Sequence, residues 1–262
     1  MDSFDPVKYT ENDAKTRTTH FGFRQVPVEA KASMVAAVFD SVAARYDLIN
    51  DVMSLGIHRL WRRFAIGLTG VGPGQRVLDV AGGTGDLSAR LSRLVGPSGS
   101  VVLLEINDAM LQRGRARLEN RGVGENVRYV QGDAERLPFP DDCFDGVIVG
   151  FGLRNMTDHD AALASMQRVL KPGRPVVILE FSRPTVWVFQ LFYDFYSFRM
   201  MPLIGRLVAG DRDDYRYLAE SIRQHPDQEM LKKMMERVGF ERCEYFNLSG
   251  GIVAAHRGRK AY

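Results

Sequence analysis

The chain has 262 residues, of which 45% are hydrophobic and 26% charged, as in a soluble globular protein with a real core. Its formal charge of +3 is too small to indicate nucleic-acid binding, and it contains no run of five basic residues. The two cysteines, Cys143 and Cys243, have neither metal-ligand nor redox spacing and lie apart from the five histidines. We therefore expect a reducing, cytoplasmic compartment and no metal.

Residues 1–18 are polar and in part acidic, unlike a signal peptide, and we interpret them as a flexible leader. From residue 27 to 68, apolar residues such as Val35, Val38 and Phe39 recur every three or four positions. This period predicts a helical cap before the main sheet.

Residues 75–182 alternate between short apolar runs and helical patterns. Strands are predicted at 76–80, 101–105, 127–130, 146–149 and 176–179. Helices are predicted between them, around 87–94, 109–121 and 159–170. Such alternation indicates a parallel, Rossmann-like sheet with helices on both faces.

After residue 182 the alternation stops, and residues 184–224 are interpreted as inserted helices. Their aromatic stretch at 187–204 is interrupted by Asp194, Arg199 and Pro202, so it does not predict a membrane-spanning helix. It is interpreted either as core or as a groove or membrane-facing surface for an apolar chain. A helix and two strands around Gly250 are predicted over 226–257. The prediction is one α/β domain over 19–262, mostly parallel with a C-terminal antiparallel hairpin.

The strongest local motif runs from Val77 to Asp86, where an apolar strand enters a glycine-rich turn and then a helix. Gly83 and Gly85 let the backbone approach a ligand, and the helix start presents free N–H groups. Twenty residues later Glu105 ends the next strand, where a carboxylate can accept both hydroxyl protons of a ribose. The alternative is a tight turn without a ligand, which the position of Glu105 disfavours.

The identity of the ribose ligand follows from what the motif lacks. A dinucleotide fingerprint needs a third glycine, but Ser88 stands there, and Asp86 places negative charge where a pyrophosphate would lie. A cofactor with an amine and a sulfonium fits better, which predicts S-adenosylmethionine. Asp133 and Ala134 follow the third strand, where they can read the adenine amine and a ring nitrogen. A loop-capping role for Asp133 is the alternative.

The chain is similar to the ubiquinone/menaquinone biosynthesis C-methyltransferase family (UbiE/MenG), a branch of the class I S-adenosylmethionine-dependent methyltransferases. Two stretches are the most specific, YDLINDVMSLGIHRLW at 46–61 and FGLRN at 151–155, whereas LDVAGGTGD is shared by the whole class. Further similar stretches are THFGFRQVP at 19–27, GDAERLPFP at 132–140, RVLKPGRPVVILEFS at 168–182, YRYLAESIRQHPDQ at 215–228 and SGGIVAAHRG at 249–258.

The resemblance implies methyl transfer to a ring carbon of a polyprenylated quinol, either demethylmenaquinol, 2-methoxy-6-polyprenyl-1,4-benzoquinol or both. It also implies cofactor contacts, which fall on Thr84, Glu105, Asp133, Ala134 and Gly150. The sequence departs from the family pattern at three places. Glu replaces the usual aspartate at 105, Ile replaces methionine at 49, and Arg replaces glycine at 174, where we expect an effect on the local backbone.

A cation beside the acceptor would favour the phenolate form of a quinol, whose ring carbon is then a better nucleophile. Arg154 ends the fourth strand, and we assign it to the developing phenolate or to a water that takes the proton. Arginine itself is a poor base because its pKa exceeds about 12. Asn155 is assigned to the second oxygen and Tyr46 to closing the site. The alternative for Arg154 is a strand-end salt bridge to a carboxylate such as Asp158.

Other interpretations remain open beside this one. His58 is interpreted as a base or ligand or, more simply, as a structural histidine. A nicotinamide oxidoreductase would need the third glycine, and a nucleic-acid methyltransferase would carry a different strand end than GFGLRN. A non-catalytic quinone-binding scaffold would not need an intact glycine motif, and another small aromatic acceptor is a further alternative. Peripheral contact with the membrane or with a biosynthetic complex is one option for the partners of the protein, and a homodimer is one option for its oligomeric state.

Overall fold

A computed structural model describes residues 18–42, 51, 54, 56–185, 217 and 220–262. A small hairpin begins this part of the chain, with strands β1 (Thr18–Phe21) and β2 (Arg24–Pro27). Seven strands form the main sheet: β3 (Arg76–Val80), β4 (Ser100–Glu105), β5 (Val127–Gln131), β6 (Gly146–Gly150), β7 (Pro175–Phe181), β8 (Phe240–Leu248) and β9 (Val253–Lys260).

The order of strands across the main sheet is β5-β4-β3-β6-β7-β9-β8. Strands β3 to β7 pair in parallel, whereas β9 runs antiparallel to both β7 and β8. The predicted α/β class, with a mostly parallel sheet and a C-terminal antiparallel hairpin, is confirmed. Strand order reverses between β3 and β6, which opens a crevice at the carboxyl ends of these strands.

Six helices are described: α1 (Val28–Val42), α2 (His58–Thr69), α3 (Asp86–Val95), α4 (Asp108–Asn120), α5 (His159–Val169) and α6 (Gln228–Arg237). Side chains of Asn107, Asp158 and Asp227 cap the starts of α4, α5 and α6 by accepting backbone N–H groups. These caps explain why the observed helices begin within a residue or two of the predicted positions.

The sheet buries apolar side chains on both faces because its strands alternate between two helix layers. On one face Leu78, Val147 and Ile178 pack with residues of α5 and α6. On the other face Val77 and Ile148 pack with residues of α2, α3 and α4. Burial of each such side chain stabilises the fold by about 1.5–3 kcal/mol, so the central strands provide a rigid edge for the site.

The hairpin of β1 and β2 was not predicted, because its strands expose most of their residues and lack a clear apolar alternation. Its stability comes from a distant contact, since the ring of Phe21 stacks on Tyr217 at 4.3 Å between centroids. The leader predicted over residues 1–18 overlaps this hairpin by one residue, because β1 starts at Thr18. Residues 1–17, Tyr46, Ile49 and the aromatic stretch at 187–204 lie outside the described residues.

Arginine at position 174 fits the backbone without strain. The left-handed conformation of this turn falls on Gly173 (φ 71°), and Arg174 is not among the residues with positive φ. Its backbone N–H donates to the carbonyl of Lys171 at 3.1 Å. Its guanidinium lies 3.4 Å from the carboxylate of Asp145. The expected backbone effect of this departure from the family pattern is therefore wrong.

Candidate functional site

A cavity of about 270 Å³ opens at the carboxyl ends of β3, β4 and β6. The residues predicted for the site divide into two groups there. Those that line the cavity are Gly83, Glu105, Asp133, Ala134, Gly150 and Asn155. Thr84, Gly85 and Arg154 lie within two residues of lining residues but do not line the cavity themselves. Parallel strands bring their carboxyl ends to one edge, which explains why residues so far apart in sequence meet.

Glu105 is held rigidly at the end of β4. Its Oε2 accepts the N–H of Gly83 and its Oε1 accepts the N–H of Asn107, both at 3.0 Å. Burial raises the pKa of Glu105 above its usual value, and these N–H donors act in the opposite direction. Each oxygen has a further lone pair, so the side chain can accept from two vicinal hydroxyl groups.

Glycine is required at two positions around this cavity by close packing. At Gly85 the backbone is left-handed (φ 81°), and an added Cβ would lie 2.6 Å from Cδ1 of Leu118. At Gly150 an added Cβ would lie 2.7 Å from Cδ1 of Leu87. Close packing against these leucines, and the left-handed backbone at Gly85, therefore favour glycine at both positions.

Thr84 and Asp86 point away from the cavity. Oγ1 of Thr84 accepts from Nη1 of Arg117 at 2.9 Å. Asp86 pairs with Nη2 of Arg117 at 2.7 Å and also with Arg62. Asp86 therefore does not present its charge to the cofactor, contrary to the prediction, because two arginines neutralise this carboxylate outside the cofactor cavity.

Asp133 combines the two roles that the sequence left open. Its Oδ1 accepts the N–H of Glu135 at 2.9 Å and so caps the short turn that starts at Ala134. Its Oδ2 forms no hydrogen bond to a described residue, and the side chain belongs to the cavity wall. One oxygen is thus structural, whereas the other can accept from a ligand amine.

Arg154 forms a buried ion pair, and its partner is not the one that we expected. Its Nη1 lies 2.8 Å from Oε1 of Glu180 on β7 and also donates to the carbonyl of Phe151. Asp158 instead caps α5 by accepting the N–H of Ala161 at 2.9 Å. Nε of Arg154 is buried without a partner among the described residues, so the guanidinium retains a free donor.

Asn155 brings an amide to the cavity wall, and a hydrogen bond from Tyr217 fixes the orientation of this amide. The hydroxyl of Tyr217 donates to Oδ1 of Asn155 at 3.0 Å. Burial raises the pKa of Tyr217 to about 12, so this hydroxyl stays protonated and remains a donor. With Oδ1 occupied in this way, the NH₂ group of Asn155 is the part of the side chain available to an acceptor atom.

Comparison with known proteins places this geometry in a family. Residues 25–260 match the model of the ubiE/COQ5 methyltransferase family. The chain belongs to this family. It is 60% identical over 252 residues to "Ubiquinone/menaquinone biosynthesis C-methyltransferase UbiE" of Hahella chejuensis, covering 96% of this chain and all of that one. It is 59% identical to the protein of the same name from Psychromonas ingrahamii, over 93% of this chain and 97% of the other.

Solved structures agree on the fold of this methyltransferase. A SAM-dependent methyltransferase from Aquifex aeolicus matches with a TM-score of 0.58 at 16% sequence identity, covering 81% of this chain and 96% of that one. The predicted class I methyltransferase fold is therefore confirmed. S-adenosylmethionine, predicted from the glycine motif, is the cofactor of this methyltransferase family. The buried carboxylate of Glu105 and the free Oδ2 of Asp133 fit its ribose and adenine amine.

Helix α1 forms a wall of the methyltransferase cavity that our sequence interpretation did not assign to the site. Apart from Glu29, its lining residues are apolar: Val28, Ala32, Val35, Ala36 and Phe39. Two polar contacts fasten the helix across the site. Nζ of Lys31 donates to the carbonyl of Met156 at 2.8 Å, and Nδ2 of Asn107 donates to Asp40 at 2.8 Å. The helical period of the apolar residues was visible in the sequence, but the surface that they cover was not.

Two cavity residues of the methyltransferase adopt a backbone that side chains disfavour. Ala81 (φ 52°) follows β3 and Phe151 (φ 61°) follows β6, and both line the cavity. A left-handed conformation costs about 1–3 kcal/mol at such a residue. Phe151 is held by packing against Trp61 and Phe181. The turn that leads to Arg154 and Asn155 is therefore fixed by the surrounding aromatic rings.

His58 lies outside the cofactor cavity of the methyltransferase. Its Nδ1 is 2.6 Å from the hydroxyl of Ser54, and its Nε2 is 3.6 Å from Asp51. Burial, followed by the charge of Arg62, lowers its pKa below the usual value. These contacts favour the structural interpretation of this histidine over a role as base or ligand.

Proposed function

We propose that the protein methylates a ring carbon of a polyprenylated quinol in the biosynthesis of ubiquinone, menaquinone or both. The observation that carries this proposal is the identity of about 60% with C-methyltransferases of these pathways over nearly the whole chain. When bound, S-adenosylmethionine supplies a sulfonium methyl group, which bonds to the ring carbon while the S–C electron pair stays on sulfur and the ring proton is released.

The cofactor is held by residues at the carboxyl ends of β3, β4 and β5. We assign Glu105 to the ribose hydroxyls, Asp133 to the adenine amine, and the backbone N–H of Ala134 to a ring nitrogen. Gly83 and Gly150 let the backbone approach the ligand, whereas Thr84 and Gly85 shape the turn from behind. The apolar face of α1 then excludes water from the adenosine.

The acceptor hydroxyl is the group on which the remaining residues act. A free quinol hydroxyl has a phenol-like pKa of about 10. Because Glu180 neutralises most of the charge of Arg154, this guanidinium would act mainly as a hydrogen-bond donor through Nε, directly or through a water. A donor network that lowered the pKa of the hydroxyl by three units would supply about 4 kcal/mol. The NH₂ group of Asn155 is assigned to the second oxygen, and Tyr46 to closing the site.

A polyprenylated acceptor is a lipid, so we propose that this cytoplasmic protein works in peripheral contact with the inner face of the cell membrane or with a biosynthetic complex. Among the residues that the structure describes, no helix is long and apolar enough to span a membrane. Contact through the protein surface would then have to bring the site to the acceptor.

The test is methyl transfer from labelled S-adenosylmethionine to demethylmenaquinol and to the methoxy-benzoquinol, each with a short prenyl chain. Each acceptor is assayed reduced and oxidised, and NMR locates the new methyl group. We expect carbon methylation of the reduced forms only, because only they form a phenolate. Absence of transfer to both quinols by a protein that binds the cofactor would refute the proposed acceptor.

A further inference from the structure

A second cavity, of about 300 Å³, lies between α2, α3 and α4, and no described residue lines both it and the cofactor cavity. Five arginines from the three helices line it: Arg59, Arg90, Arg93, Arg117 and Arg121. Among the described residues of this wall, two are carboxylates, Asp51 and Asp86. His58 also borders the cavity, and its lowered pKa keeps it neutral near pH 7. The described residues of the wall therefore carry five positive and two negative charges, an excess of three positive charges.

Both carboxylates of this arginine cavity are already paired. Asp51 lies 2.6 Å from Nη2 of Arg59, and Asp86 lies 2.7 Å from Nη2 of Arg117. Arg90, Arg93 and Arg121 form no ion pair with any carboxylate in the described part of the chain. Three guanidinium groups that share one concave space without an acidic partner are suited to an anion, and their planar forks match the oxygens of a phosphate.

Helix α2, which contributes Arg59 to the arginine cavity, also exposes large apolar side chains. Helix α2 and the residue before it expose Ile57 (41%), Leu60 (65%) and Phe64 (39%), whose spacing places them on one side of the helix. Leu94, next to Arg93, is 44% exposed. Isolated exposed apolar residues are common, but a row of them flanked by arginines is typical of helices that lie in a membrane interface.

We propose that the arginine cavity binds the phosphate of an anionic phospholipid headgroup while Ile57 and Leu60 enter the interface beside it. The positive wall supplies the charge complementarity, and the apolar row favours a lipid over a free phosphate as the occupant. This inference rests on the proposed function, because a polyprenylated quinol resides in the bilayer. It adds the surface through which the enzyme would dock, formed by α2, α3 and α4.

The test measures sedimentation of the full-length protein with vesicles of phosphatidylcholine, alone or mixed with phosphatidylglycerol. The wild type should bind only the mixed vesicles, and Arg93→Glu/Arg121→Glu should bind them about tenfold more weakly or worse. The matched control is Arg128→Glu/Arg242→Glu, which makes the same charge change at two exposed arginines outside the cavity. It should bind like the wild type. Leu60→Ser should weaken binding without any change of charge.

Two results would overturn the proposal: failure of the wild type to bind anionic vesicles, or an equal loss of binding in the control pair. Calorimetry with soluble glycerol phosphate tests whether the arginine cavity binds a free phosphate ester and not a phospholipid headgroup. If that ester binds the wild type but not Arg93→Glu/Arg121→Glu, while vesicles bind neither protein, the cavity takes a free phosphate ester and the lipid assignment is wrong.

Methyl transfer to a short-prenyl quinol in detergent separates docking from chemistry. Arg93→Glu/Arg121→Glu should retain wild-type turnover there, because neither arginine belongs to the cofactor cavity. Loss of turnover in detergent would count against a pure docking role. Vesicle binding is read without turnover, so failure of the docking surface and failure of the proposed quinol acceptor give different results.

Discussion

At the scale of single residues, the most informative group is the pair of Arg154 and Glu180. Both side chains are almost fully buried, and their N–O distance is 2.8 Å. A buried ion pair of this kind contributes little net stability, because desolvation offsets most of the attraction between the charges. The presence of this pair is better explained by a role in positioning residues at the end of β6, because the pair also fixes the turn that presents Asn155.

The first prediction concerns Arg154→Lys. Lysine keeps the positive charge but lacks Nε and the planar fork, so we expect turnover to fall about tenfold or more, equivalent to about 1.4 kcal/mol in activation free energy. Cofactor affinity should not change, because Arg154 does not line the cofactor cavity. Single-turnover kinetics and calorimetry measure the two quantities.

Arg237→Lys is the matched control for this substitution. Arg237 forms an exposed pair with Asp160 at 2.8 Å, and neither residue lines the cofactor cavity. Its replacement should leave turnover unchanged. Equal turnover of Arg154→Lys and wild type would refute the assignment of Arg154 to the acceptor. If cofactor affinity fell as much as turnover, the role of Arg154 would be structural.

At the scale of elements, the sequence predicted those parts that depend on local pattern. The strands from β3 to β7 are apolar runs that end at glycine or at a charged residue, so their edge and Glu105 could be placed in advance. The β1–β2 hairpin depends on a contact between Phe21 and Tyr217, and the partner of Arg154 depends on the pairing of β6 with β7. Local patterns do not contain such distant contacts.

Helix α1 is predicted to hold the cofactor in place. In Lys31→Met the contact with the carbonyl of Met156 is lost, while the apolar stem is retained. A net hydrogen-bond contribution of about 0.5–1.5 kcal/mol predicts a cofactor Kd about two- to tenfold higher. Turnover at saturating cofactor should change less than the Kd, because α1 binds and does not react.

Calorimetric titration with S-adenosylhomocysteine measures this change in affinity. Lys233→Met is a suitable control, because Lys233 is exposed on α6, away from the cavity. An unchanged affinity of Lys31→Met for S-adenosylhomocysteine would show that α1 stays over the cofactor cavity without the hydrogen bond from Lys31 to Met156.

At the scale of the whole molecule, the stability of the fold depends on a carboxylate beneath the cofactor loop. Asp79 on β3 is fully buried, and its Oδ2 accepts from the hydroxyl of Ser88 at 2.7 Å. Its Oδ1 has no partner among the described residues. Burial raises the pKa of Asp79 to about 7, against the opposing effect of the bond from Ser88. The folded protein therefore binds a proton here that the unfolded chain releases near pH 4.

The sign of the pH dependence follows from this difference. The contribution of Asp79 to the free energy of unfolding is greatest below about pH 4 and is lost as the pH rises through about 7. Over that range it amounts to about 4 kcal/mol at most. His159 and His256 act oppositely, because burial lowers the pKa of each to about 4, so they destabilise the fold as the pH falls below about 6.5. Their effects do not extend above that pH.

Asp79→Asn isolates the contribution of this carboxylate. Asparagine keeps the shape and can still accept from Ser88, but it cannot ionise. We expect urea unfolding from pH 6 to 8 to show a loss of stability in the wild type that levels off above about pH 7, and a smaller loss in the variant. The free energy of unfolding of the variant should therefore rise relative to that of the wild type as the pH rises. Asp108→Asn, at an exposed site on α4, should follow the wild type. Parallel curves for Asp79→Asn and wild type would mean that Asp79 stays ionised in the fold, with its charge compensated by groups such as Arg62.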